Sequence, residues 1–148
     1  VKYFTTEWWE NGCEEAQPLF DKYEAYISSI QSALPPALVS LHSAYTLHDS
    51  EVKRIHSNFP EGTLFLELSG MDLEFYDPVR YKLEFRDVSE FEQQFPRQEC
   101  VKKELGALGY WEIEKVNGGI EVRMLFVSTA EFRIVFRDFE FTHEKIPA

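Results

Sequence analysis

The sequence has little cysteine, little positive charge and no long apolar run, and each shortage closes off a class of protein. Cys13 and Cys100 are the two cysteines of a 148-residue chain. They fit no paired metal or redox spacing, so we read them as reduced thiols, with a disulfide between them as the open alternative. No stretch reaches the ~18 apolar residues that a bilayer span requires, and the opening Val1–Trp9 lacks the apolar core of a signal peptide. A cytoplasmic protein without a membrane partner is therefore expected. Fifteen basic side chains stand against 26 acidic ones, a formal charge of −11 that repels phosphate backbones and anionic headgroups. That balance argues against nucleic acid and suits a basic protein partner, although acidity also serves solubility alone. A phosphate-cradling glycine loop and a Gly-x-Ser-x-Gly elbow are both missing, which removes sequence support for P-loop and α/β-hydrolase chemistry.

What the chain does have is aromatic mass: 13 Phe, 7 Tyr and 3 Trp supply much of the area a core must bury. The length suits one hydrophobic core, and we expect a single domain over 1–148. Leu19, Tyr23, Ile27, Ile30 and Leu34 recur at steps of three and four, predicting a helix over about 14–33. Pro18 sits in its first turn and Pro35-Pro36 stop it. Thr5 or Thr6 is a candidate cap for a short turn through Trp8 and Trp9 that Gly12 ends. Ala37 to Leu41 reads as a brief helical turn.

Strand signals follow. Val52 to His56 and Thr63 to Leu68 flank the turn Pro60-Glu61-Gly62, and Val79, Tyr81, Leu83 and Phe85 alternate with charged residues. Ser89 to Glu104 is polar, contains Pro96, and reads as irregular helical turns. Asn117-Gly118-Gly119 supplies the positive φ of a tight hairpin between Trp111–Ile113 and Ile120–Phe126. In the last strand Phe132, Ile134 and Phe136 occupy even positions but Phe139 and Phe141 odd ones, so a bulge near Arg137-Asp138 is expected. One helix followed by rows of strands predicts an α+β fold, an N-terminal helix packed on a mostly antiparallel sheet of about five to seven strands.

Chemistry-bearing residues are sparse. His42, His48, His56 and His143 lack metal-ligand spacing, so no metal and no cofactor is expected. His48-Asp49 is the most suggestive pair, since a carboxylate beside an imidazole can fix its tautomer, with Ser40 and Ser50 as nominal nucleophiles. Its structural alternative is a turn in which Asp49 and Ser50 cap the entry to the strand at Val52. Asp72, Glu74 and Asp77 lack the pattern of a calcium loop and read as a solvated connection. Trp8 and Trp9, beside Tyr3 and Phe4, are the densest aromatic group. Neighbours on a helix diverge by about 100°, so core accounts for one ring and leaves the other for a rim or partner contact.

Lys2-Tyr3-Phe4-Thr5-Thr6-Glu7-Trp8 and Leu47-His48-Asp49-Ser50-Glu51-Val52 resemble segments of uncharacterised bacterial proteins grouped as domains of unknown function. The second segment is also similar to an element of small immunity proteins, which bind and block a toxin. The resemblance implies a bacterial cytosolic protein and supplies no catalytic residues. The leading expectation is a non-catalytic binding protein, immunity-like or regulatory, with His48, Asp49, Trp8 and Trp9 as ligand or partner candidates. The alternative is an enzyme or small-ligand domain with a cleft near His48 and Asp49. A self-associating module is the third reading.

Overall fold

In the computed structural model, which describes residues 3–96 and 104–147, the chain opens with a capped turn. The Thr5 hydroxyl accepts the backbone N–H of Trp8 at 3.1 Å, starting α1 (Thr6–Glu10). Gly12 leaves that turn at φ +90°, a conformation that is cheap for glycine. Helix α2 (Ala16–Ile30) continues into a 3-10 turn, Gln31–Ala33, and buries Tyr23 and Ile27. This is the helix expected from the 19–34 periodicity. The short helical turn expected at Ala37 is longer, running as α3 (Pro36–Ala44) with proline in its first turn.

Among the described residues eight antiparallel strands make two four-stranded sheets, where one sheet of about five to seven strands was expected. The fold class stands as α+β. The first sheet has the order β1 (Glu51–Asn58), β2 (Thr63–Met71), β3 (Pro78–Arg86), β8 (Asp138–Lys145). The second has the order β4 (Glu90–Gln94), β7 (Glu131–Phe136), β6 (Gly119–Phe126), β5 (Leu108–Val116). Strand β4 lies where irregular helical turns were expected. Its polar composition misled because both neighbours of Phe91 face water, and the strand is held by its ladder to β7 rather than by a buried stripe. Residues 97–103 of that stretch lie outside the described residues.

The two sheets share a corner. The β3–β8 ladder ends at Arg86↔Asp138, and the β4–β7 ladder resumes at Glu90↔Val135. Across the bend Arg137 N–H donates to the Arg86 carbonyl at 3.2 Å and Ser89 N–H to the Val135 carbonyl at 2.9 Å. This corner replaces the bulge expected at Arg137-Asp138. The chain leaves one sheet at Phe136 and joins the other at Asp138, and the change of sheet switches the parity that faces the core. Phe136 and Phe139 are both buried for that reason, and Phe85 meets their rings at 4.9 and 5.1 Å.

A second junction closes the ring. Glu51 bridges Ala107, Leu108 N–H donates to the Ser50 carbonyl at 2.7 Å, and Asp49 N–H donates to the Leu108 carbonyl at 2.8 Å. The entrance to β1 is thus tied to the entrance to β5, and Ser50 is fully buried there. A Cβ added at Gly70 would stand 2.0 Å from Ser50 Oγ, so this crossing requires glycine. Helix α2 covers the other edge of β5. The hydroxyl of Tyr23 accepts the Ile113 N–H at 2.7 Å and that of Tyr26 accepts the Lys115 N–H at 2.8 Å. Three residues apart on a helix, the two tyrosines reach alternate outward-facing amides and block an edge that would otherwise pair with another chain.

Candidate functional site

Alternation places Tyr110, Glu112 and Glu114 of β5 on the outer face of the second sheet, opposite Leu125, Arg123 and Glu121 of β6. The next two strands add Glu131 and Arg133, then Glu90, Glu92 and Gln94, in register. Arg123 lies directly across from Arg133, a pairing of like charges that is unfavourable unless something separates them. Glu121 does so, bonding both guanidinium groups with one oxygen each. Arg123 also holds Glu112 at 3.1 Å and Glu114 at 2.9 Å, while Arg133 holds Glu90 at 3.1 Å and Glu92 at 3.5 Å. Burial alone would pull the Arg123 pKa down, and the surrounding carboxylates more than offset it, keeping the group charged.

The N-terminal segment lies across this face. The Glu112 carboxylate, 2% exposed, accepts the backbone N–H groups of Tyr3 at 2.9 Å and Phe4 at 3.4 Å. The Thr6 hydroxyl donates to Glu131 at 2.9 Å. Beneath Phe4 and Thr5 remains a cavity of about 210 Å³, floored by Tyr110, Glu112, Arg123 and Glu131. At its closed end Phe4 stacks on Tyr110, with centroids 5.5 Å apart.

Tyr110 gathers the residues singled out in the sequence. Trp8 and Trp9 meet its ring edge-on at 5.1 and 5.2 Å, and His48 lies 6.1 Å from it. Trp9 packs closely against the backbone of β5 at Gly109, where an added Cβ would fall 2.2 Å from its ring. Cys13 Sγ approaches the Tyr110 hydroxyl at 3.6 Å. Burial, then this thiol contact, push the phenol up to about 12.

His48 Nδ1 donates to the Gly109 carbonyl at 2.6 Å, which fixes the tautomer and leaves Nε2 toward Asp49 Oδ1 at 3.5 Å. Both side chains face solvent, 49% and 63% exposed, and neither lines the cavity. Asp49 sits in the left-handed region at φ +64°, the geometry of a turn entering β1. Ser50 is sealed against Gly70, out of reach of a substrate. Phe75, half-exposed in the loop between β2 and β3, stands 6.5 Å from His48 beside the exposed Tyr76. The Asp72 carboxylate closes that loop by accepting the N–H groups of Tyr76 and Asp77 at 2.8 and 3.3 Å.

The other histidines are dispersed. His42 bonds Glu24 at 2.9 Å and His143 bonds the Tyr45 hydroxyl at 2.8 Å. Among the described residues no three His, Cys, Asp or Glu side chains converge as metal ligands. No described helix is long and apolar enough to cross a membrane.

The family model described as "Protein of unknown function (DUF4085)" matches residues 1–136. The chain belongs to that family. A comparison with curated proteins gives no match. In this DUF4085 chain the matched region contains the whole of the outer face described above, from Tyr3 to Val135.

Sequence reasoning passed over the charged network. Its signal was present as charged pairs two residues apart on successive strands: Glu112 and Glu114, Glu121 and Arg123, Glu131 and Arg133. With the Asn117-Gly118 turn setting the register, these positions fall on one face.

Proposed function

We propose that this protein is a non-catalytic binding protein, of the immunity or regulatory kind, whose outer face on the second sheet receives a basic protein partner. The observation that carries the reading is the convergence of Trp8, Trp9 and His48 on Tyr110, with Asp49 next to His48, beside a sheet face where six carboxylates stand against two guanidinium groups. Rigid aromatic anchors next to an excess of negative charge suit a partner that brings lysine and arginine, because the field steers encounter and the rings supply the affinity. Phe75 and Tyr76 extend the apolar part outward into solvent.

The test is capture from the source-cell lysate with the wild-type chain, with Phe75→Ser/Asp49→Asn, and with Arg80→Ala on the first sheet as control. We expect a basic protein to be retained by wild type and control, released by salt, and lost from the double variant. A wild-type bait that retains nothing above bare matrix overturns the proposal, as does a double variant that retains as much as wild type.

A further inference from the structure

We propose that the cavity beneath Phe4 and Thr5 is an anchor pocket for one lysine or arginine side chain of the partner. The inference rests on the partner reading above and deepens it by assigning the contact that gives specificity. Size points to a side chain first. About 210 Å³ falls below the roughly 300–1,000 Å³ of pockets that enclose cofactor-sized molecules.

Charge then selects the sign of the occupant. Both guanidinium groups on the face are already engaged: Arg123 by Glu112, Glu114 and Glu121, and Arg133 by Glu90, Glu92 and Glu121. Arg123 and Arg133 line the cavity with their charge offset by the carboxylates they hold. The surplus of six carboxylates over two guanidinium groups on this face disfavours an anionic ligand and draws a cation. Glu131 gives one oxygen to the Thr6 hydroxyl, and Glu92 lies 3.5 Å from Arg133 with two-thirds of its surface in water. Both border the cavity, and a carboxylate offers about four lone-pair sites, so acceptors remain for an ammonium or guanidinium group.

Shape accounts for the rest. The stacked Phe4 and Tyr110 rings, both lining the cavity, give an apolar wall for a methylene stem. Tyr110 also belongs to the aromatic group with Trp8, Trp9 and His48. A side chain in the cavity would therefore be continuous with an interface over those rings.

The probes are N-acetyl-lysine methylamide and N-acetyl-arginine methylamide, with the norleucine and glutamate analogues as controls. Each is titrated into the 15N-labelled full chain without any partner protein. We expect saturable shifts at the amides of Phe4, Tyr110 and Glu131 for one or both cationic probes, in the millimolar range. Glu131→Gln should weaken binding by about tenfold. Gln94→Arg, at an exposed position bordering the cavity, should abolish it while leaving the rest of the spectrum in place, so the test survives if Glu131→Gln fails to fold.

Equal shifts with norleucine, a response to the glutamate analogue alone, or no saturable shift overturn the pocket. Partner capture separates the two proposals. A captured partner that Gln94→Arg does not weaken sinks the pocket's role and leaves the partner reading intact. Saturable lysine binding with no partner captured supports the pocket's chemistry and sinks the partner reading.

Discussion

Replacing Tyr23 by Phe removes one oxygen from the α2–β5 contact, and its cost can be worked out from what that oxygen does. The hydroxyl is buried and accepts the Ile113 N–H at 2.7 Å on the edge of β5 that α2 covers. In Tyr23→Phe that amide stays buried without an acceptor, which costs about 1–3 kcal/mol. Tyr26 makes the same contact with the Lys115 N–H at 2.8 Å, but there the bond is exposed and water can take over. Tyr26→Phe should therefore change stability by no more than about 0.5 kcal/mol. In urea, with a slope of roughly 2 kcal/mol/M, a 2 kcal/mol loss moves the midpoint by about 1 M. Hydrogen exchange adds the residue-level readout: the Ile113 amide should lose protection in Tyr23→Phe and keep it in Tyr26→Phe. Equal midpoint shifts in the two variants, or unchanged Ile113 protection in Tyr23→Phe, would refute the edge-capping argument.

Arg123→Met leaves the buried carboxylates of Glu112 and Glu121 without their shared partner and should cost about 3–5 kcal/mol by chemical denaturation; a loss below 1 kcal/mol would show that water already screens the network. Ser50→Ala removes a fully buried hydroxyl that has no hydrogen-bond partner among the described residues, so the melting temperature should hold or rise, with a gain of up to about 1 kcal/mol. Gly109→Ala drives a methyl into the Trp9 ring; it should cost about 1–3 kcal/mol and shift tryptophan emission to the red as α1 loosens. The buried tyrosines set the alkaline limit. Burial raises the Tyr23 and Tyr110 phenols above their ordinary value, so the native state disfavours tyrosinate relative to the unfolded chain. Their contribution is complete below about pH 10 and is lost as pH rises through the native values, near 12 for Tyr110. The part of the tyrosinate absorbance that Tyr110→Phe removes should rise together with loss of circular dichroism above that limit, and its appearance near pH 10 in a folded protein would contradict the assignment.

Local chemistry made much of this fold legible from the sequence. The three-and-four spacing from Leu19 to Leu34 marked α2, the alternation from Val79 to Phe85 marked β3, and Asn117-Gly118 marked the β5–β6 hairpin, because each signal lies within one element or one turn. The Thr5 cap and the Gly12 exit of α1 were visible for the same reason. Strand β4 was not, since a five-residue strand with only Phe91 turned toward the core has no repeating burial pattern to display. The even-to-odd switch after Phe136 was seen as an irregularity, but a bulge and a change of sheet leave the same mark in a linear pattern. Only the pairing of Asp138 with Arg86 distinguishes them.

The candidate site divides along the same line. The acidic composition is what suggested a basic partner, and the residue types identified Trp8, Trp9, His48 and Asp49 as worth attention. That Trp8, Trp9 and His48 gather at Tyr110, with Asp49 beside His48, depends on the bridge between Glu51 and Ala107 and on the strap of Tyr3 and Phe4 over Glu112, contacts spanning 56 and 109 residues of chain. Contacts at that separation leave no periodic trace in a sequence. They form because closing the sheet buries apolar area that no single element can bury alone, and the positions of these side chains follow from that closure.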